Sequence, residues 1–216
     1  AFAFCDVLII GAGPAGLMAA LEAGRAGADV ILANEDTRAG GRLLSETHEV
    51  DGRAGHEWAA DVVGELESMD NVRIMNRTTV TGVYDQGTYG ALERVNAHLP
   101  VGSRAPRACF WRIVAKRSIL TAGALERPVA FQNNDRPGIM TASAVRSYLN
   151  RWGVASGRDV VVFGNNDDAH RTAHDLHNAG VHVAALIDSR WDVTPTGDFP
   201  IFTGSQVCGS GGRKGL

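Results

Sequence analysis

Four apolar residues in succession, Val7, Leu8, Ile9 and Ile10, set the first clear pattern in the chain. The run is too short for a helix and shows no alternation, so it predicts a strand buried on both faces. The rhythm breaks at Gly11, resumes at helical spacing from Pro14 through residues 17–23, and ends at Gly24 and Gly27. Residues 29–33 read as a second buried strand. Strand, tight turn, helix and strand in about 30 residues predict a βαβ unit.

The pattern continues in the same vocabulary. Residues 56–69 place Trp58, Val62, Val63 and Leu66 on one helical stripe, with acids between them. Residues 72–75 and 79–84 read as strands, with a turn at Asp85, Gln86 and Gly87. Residues 89–95 and 110–114 complete a small antiparallel meander, joined by a loop at 100–106. Residues 142–152 read as a helix ending near Gly153. Residues 158–164, 169–179 and 181–187 repeat the strand–helix–strand order, and 201–216 end without completing a unit.

The glycines at 11, 13 and 16 give the first turn a chemistry. Gly11 permits the tight turn, Gly13 lets a pyrophosphate touch the backbone, and Gly16 lets the helix lie close to the strand. Pro14 suits the first helical turn, where its missing N–H costs nothing. With Ala15, these residues turn free N–H groups and the positive helix end toward an anion. Asn34 and Glu35 end the second strand, where a ribose-binding acid is expected about 20 residues after the glycines. The cofactor read from these residues is a dinucleotide, NAD or FAD.

The second strand–turn–helix lacks this chemistry. It carries Asn166 where a glycine would admit a phosphate, so its nucleotide site reads as degenerate. Asp167 and Asp168 suit a helix start rather than acid–base work. His170, His174 and His177 share a helical face, but no further ligand is identifiable, and solvated histidines are the commoner case. No metal site is expected, and no catalytic residue is assigned.

Composition narrows the class further. The formal net charge of −3 offers no basic surface for nucleic acid. No apolar run approaches the roughly 20 residues of a membrane span. Cys5, Cys109 and Cys208 are odd in number and widely spaced, which predicts neither a disulfide framework nor a metal motif and points to the cytoplasm. The chain begins at Ala1 without an initiator Met, and is expected to be a piece of something longer.

Several motifs carry a resemblance. The stretch 5–16, the Ala-Gly-Gly-Arg at 39–42, the Thr-Ala-Gly-Ala-Leu-Glu-Arg-Pro at 121–128, the Asn-Asn-Asp-Arg-Pro-Gly at 133–138, residues 148–153 and residues 163–168 resemble the α subunits of heterotetrameric sarcosine oxidases. The first, second and third of these also resemble two-dinucleotide-binding-domain flavoproteins such as glutathione and thioredoxin reductases. The departures are Leu120, where Ala is usual, and Asn34, where an acid is usual.

The resemblance implies an α/β fold. A Rossmann-like dinucleotide-binding domain with its meander would fill residues 1–153, and part of a second, degenerate Rossmann-like domain residues 154–216. The chain would return to the first domain beyond Leu216, leaving that domain a strand short. It implies that Gly41 and Arg42 meet the dinucleotide, that Thr79 and Val80 pass the adenine, that residues 118–124 return the chain to the dinucleotide domain, and that Thr121, Ala122 and Gly123 bring backbone close to the cofactor. It implies a NAD that takes no part in chemistry, with FMN and FAD elsewhere in a complex with β, γ and δ subunits. That complex would demethylate sarcosine oxidatively to glycine, form hydrogen peroxide and pass a one-carbon unit to tetrahydrofolate. An FAD-binding subunit of an amino-acid or opine dehydrogenase, and a non-catalytic scaffold module, are the alternatives.

Overall fold

A computed structural model of the chain describes residues 1–97, 99–100 and 106–212. The expected loop at 100–106 therefore lies largely outside the described residues, as do Arg213 and Lys214 of the glycine-rich ending. The described residues form two compact units. The first holds Ala1–Leu44 and His48–Ala124, and the second holds Ser45–Thr47 and Leu125–Leu216.

The first unit begins with β1 (Phe2–Ile10), α1 (Pro14–Arg25) and β2 (Val30–Ala33). A 3-10 turn at Gly41–Ser45 and the short strands β3 (Glu49–Val50) and β4 (Arg53–Ala54) lead to α2 (Gly55–Glu67). Then follow β5 (Val72–Met75), β6 (Thr78–Tyr84), β7 (Thr88–Glu93) and β8 (Cys109–Leu120). Six strands make one sheet in the order β5-β2-β1-β8-β7-β6. The first four are parallel, and β7 and β6 run antiparallel to their neighbours.

The apolar run of β1 is buried on both faces, as its lack of alternation predicts. Ile9 packs with Leu17, Ala20, Leu21, Leu32, Val62 and Leu66 beneath the two helices. Leu8 faces the other way, among Ile31, Met75, Tyr89, Ala91 and Ile113. Leu8, Ile9, Leu17 and Leu66 are fully buried, each contributing about 2 kcal/mol of apolar burial. On α1 the buried positions Leu17, Ala20, Leu21 and Gly24 follow helical spacing, and Gly27 (φ 82°) closes the turn after it. Gly24 lies inside the helix, where a side chain would strike Val72 and Met69.

The expected meander and the return strand are one structure. Residues 109–114 of β8 pair antiparallel with β7, while residues 112–120 pair parallel with β1. A single strand therefore serves both neighbours, and the meander belongs to the main sheet. Lys116 and Arg117 interrupt the apolar pattern only because both side chains are exposed; Lys116 reaches Asp6 at 2.5 Å.

The second unit contains α3 (Ala142–Arg146), continued by a π-helical turn at Ser147–Arg151, then β9 (Asp159–Gly164), α4 (Asp167–Asn178), β10 (His182–Asp188) and β11 (Ile201–Phe202). Its three strands are parallel in the order β11-β10-β9. Val145 packs with Val162, Ala173, Leu176, Val183 and Leu186. This packing is why the units divide after Ala124 and not at the expected residue 153. The helix 142–152 was expected to close the first domain, but its apolar face belongs to the second core.

Candidate nucleotide site

Three turns of the first unit meet at the C-terminal ends of β1, β2 and β8. The Gly11 N–H donates to Ala33 O at 2.9 Å, and the Thr121 N–H donates to Ile10 O at 2.9 Å. The Gly40 N–H donates to Ala12 O at 2.8 Å, which brings in the glycine-pair turn. Gly11 sits at φ +106°, and a Cβ there would collide with the Thr121 carbonyl. A Cβ on Gly16 would collide with Gly11 O, so helix and turn pack as closely as backbone allows. Gly41 (φ +55°) is equally tight, since its Cβ would lie 2.8 Å from the Gly13 Cα.

Gly13 is different. Its φ is an ordinary −73°, and a Cβ built on it meets nothing within 4 Å. No internal packing demands a glycine there. Gly13 is also the N-cap of α1, with no side chain of its own to cap the helix, and Pro14 follows at the first helical position. A pyrophosphate fits these residues: backbone approach is open and the helix N-terminus behind it is uncapped by side chains.

At the end of β2 the two candidate ribose contacts occupy different environments. Asn34 is buried. Its amide nitrogen donates to Asn76 Oδ1 at 2.9 Å and to Asp36 O at 3.3 Å, and its backbone bridges Met75 and Thr78. Glu35 is exposed and lines an open cleft of about 400 Å³ with Asp36, Thr37, Arg77, Arg94 and Ala97. Of the two candidates, Glu35 is therefore the one that faces open space.

The remaining expected positions lie in the 3-10 turn, on β6 and directly after β8. Arg42 is exposed in the 3-10 turn. Thr79 and Val80 lie on the edge strand β6 opposite Leu92 and Ala91, with Val80 also packed on the core. Ala122 and Gly123 (φ +71°) are exposed directly after Thr121. Sequence reasoning assigned Thr121 only a close backbone approach. Its hydroxyl also lies 2.7 Å from Gly11 O and 3.1 Å from Ile10 O.

The turn of the second unit is closed by its own side chains. Asn166 is the N-cap of α4 and accepts from Ala169 N at 3.3 Å. Asp167 receives Arg190 Nη1 at 2.9 Å, and Asp168 meets Arg171 and Arg146. Arg190 also reaches Asp188 at the end of β10, through Nε at 3.2 Å and Nη2 at 2.8 Å. Burial opposes the charge on Asp188. The hydrogen bonds from Arg190 and His170 outweigh it and hold the carboxyl at about 2. This helix start is thus engaged by its own capping amide and by two carboxylates paired with arginines. Sequence reasoning missed Asp188 and Arg190; the only available signal was an acid ending the second strand of the unit.

The three helical histidines are engaged separately. His170 is buried against Asp188, His174 lies 3.3 Å from Thr196 Oγ1, and the rings of His174 and His177 meet Phe199. Among the described residues no group of three His, Cys, Asp or Glu is arranged to hold a metal ion. Cys5 is buried in the sheet, and burial pushes its thiol up to about 11, which leaves it unreactive near neutral pH. No helix of the described residues is long and apolar enough to cross a membrane.

Comparison with known proteins agrees with this geometry. The family profile described as FAD dependent oxidoreductase matches residues 6–119. The sarcosine oxidase subunit alpha of Rhizobium meliloti (strain 1021) is 48% identical over 218 residues, covering 100% of this chain and 22% of that protein. The chain thus spans about a fifth of the length of the sarcosine oxidase alpha subunits it matches. Among solved structures, the L-proline dehydrogenase of P. horikoshii superposes with a TM-score of 0.72 at 28% identity, covering 90% of this chain and 37% of that one. The thioredoxin reductase of T. acidophilum superposes at 0.69 with 18% identity, covering 98% and 68%, which speaks for the fold alone.

Proposed function

The chain belongs to the FAD dependent oxidoreductase family, and from that premise we propose that its first unit holds a dinucleotide across the Gly11–Gly16 turn, as part of a sarcosine oxidase α subunit. The observation that carries this reading is Gly13, a glycine that nothing inside the fold requires. In this reading Gly11, Gly13, Pro14, Ala15 and Gly16 receive the pyrophosphate, Glu35 with Asn34 serves the ribose, and Gly41 and Arg42 flank the phosphates. Thr79 and Val80 border the adenine, and the backbone of residues 121–123 passes close to the cofactor.

The nucleotide proposed is NAD, with FAD the second reading because the matched profile is one of FAD dependent oxidoreductases. The assembly's reaction is oxidative demethylation of sarcosine, and the hydride acceptor it needs is a flavin. That chemistry is assigned to the β subunit and its interface, with γ and δ subunits and tetrahydrofolate completing a cytoplasmic complex. This chain's own residues bind and orient; none is assigned a catalytic step.

Extraction of nucleotide from the purified protein tests the reading. A colourless extract that absorbs only in the ultraviolet supports NAD, and a yellow extract supports FAD. Absence of both, together with no saturable binding of either on titration, would contradict a nucleotide function.

A further inference from the structure

We infer that the Thr121 hydroxyl is a positioning group for the nucleotide, acting from behind the Gly11–Gly16 turn without touching the ligand. The inference rests on the reading of that turn as the nucleotide site. Thr121 follows the last residue of β8. Its N–H donates to Ile10 O at 2.9 Å, and its Oγ1 stands 2.7 Å from Gly11 O and 3.1 Å from Ile10 O. Both partners are carbonyls, so the hydroxyl is the donor.

The consequence follows from peptide geometry. In a trans peptide the C=O and the next N–H point in opposite directions. Holding Gly11 O against Thr121 therefore turns the Ala12 N–H to the opposite side. The same rule applies one peptide on. Ala12 O is held by the Gly40 N–H at 2.8 Å, which turns the Gly13 N–H away from Gly40. Gly13 is where a side chain would meet only open space. Thr121 and Gly40 thus fix two successive peptide planes whose N–H groups an anion would use.

The hydroxyl adds a restraint that the glycine itself lacks, although the turn is packed closely against α1. Gly11 has no Cβ to restrict it, and glycine adopts many backbone states at similar cost. The strands do not depend on the hydroxyl. β8 stays paired with β1 along residues 112–120, and the Thr121 N–H bond is made by backbone. Gly16 leaves room for the hydroxyl, since a Cβ there would lie 2.7 Å from Oγ1.

The test uses the 216-residue chain and four proteins: wild type, Thr121→Ser, Thr121→Val and Thr121→Ala. Each is titrated with NAD and with FAD, and its thermal unfolding is recorded. Thr121→Ser should bind within about twofold of wild type, because the donor is kept. Thr121→Val and Thr121→Ala should lose about tenfold or more in affinity while melting near the wild-type temperature. Wild-type affinity in Thr121→Val would overturn the inference, as would a loss in Thr121→Ser equal to that in Thr121→Val. Failure of both the Val and Ala variants to fold would also overturn it, by making the hydroxyl a structural group. Failure of the wild-type chain to bind either nucleotide is a separate outcome, and contradicts the site itself.

Discussion

His170 Nε2 lies 2.7 Å from Asp188 Oδ2, and both side chains are buried in the second unit. The acid that ends β10 is thereby engaged by the protein's own His170 and Arg190 rather than offered to a ligand. Its low titration gives a pH prediction. A carboxyl whose folded value is depressed stabilises the fold above its ordinary value of 3.8, and that stability is lost as pH falls toward about 2. The contribution is of order 2 kcal/mol. Unfolding of the second unit should therefore become easier between pH 4 and 2, and Asp188→Asn should flatten that part of the profile. Parallel acid profiles for wild type and variant would refute the assignment.

Gly13→Val should abolish nucleotide binding and leave the melting temperature nearly unchanged. The built Cβ meets nothing in the protein, so the branched side chain fills only the space proposed for phosphate. Circular dichroism and nucleotide titration check the two halves. A folded variant that retains nucleotide would place the pyrophosphate elsewhere.

Glu35→Ala and Asn34→Ala should separate by phenotype. The exposed carboxylate of Glu35 faces the cleft, so its loss should cost about tenfold in affinity with little change in stability. Asn34 is buried and tied to Asn76 and Asp36, so its loss should cost about 1–3 kcal/mol of stability. Denaturant melts and titrations of both variants measure this. Normal affinity in Glu35→Ala would move the ribose contact to Asn34.

Much of the first unit was legible in the sequence. The uninterrupted apolar run of β1 and the glycine spacing at 11, 13 and 16 act locally, within one turn of chain. That Asn166 stands at the start of α4 where a glycine would admit a phosphate was also legible, because it is a local feature of the chain. The single long strand β8 was not. Its charged Lys116 and Arg117 look like a break, and only pairing with β1, more than 100 residues earlier in sequence, extends the strand through them. The Asp188–Arg190–Asp167 network was hidden for a similar reason. It joins a strand end to a helix start across the unit, and no periodicity records such a meeting. Placement of α3 also depended on distant partners, since Val145 chooses its core through Val162 and Leu176.

The isolated chain should not oxidise sarcosine. Among the described residues, the turn at Gly13 is open, whereas the turn before α4 is capped by Asn166. Peroxide formation with sarcosine and oxygen, measured against a free-flavin control, checks this. Sustained turnover by the chain alone would relocate the catalytic centre into it.

The central claim is the place of the dinucleotide, and a crystal structure of this chain grown with NAD tests it most directly. The account predicts pyrophosphate density against the backbone of Gly11–Gly16, within hydrogen-bonding distance of the Ala12 and Gly13 N–H groups, and a ribose beside Glu35. Density over the Gly164–Ala169 turn instead, with the Gly13 space filled by solvent, would contradict it.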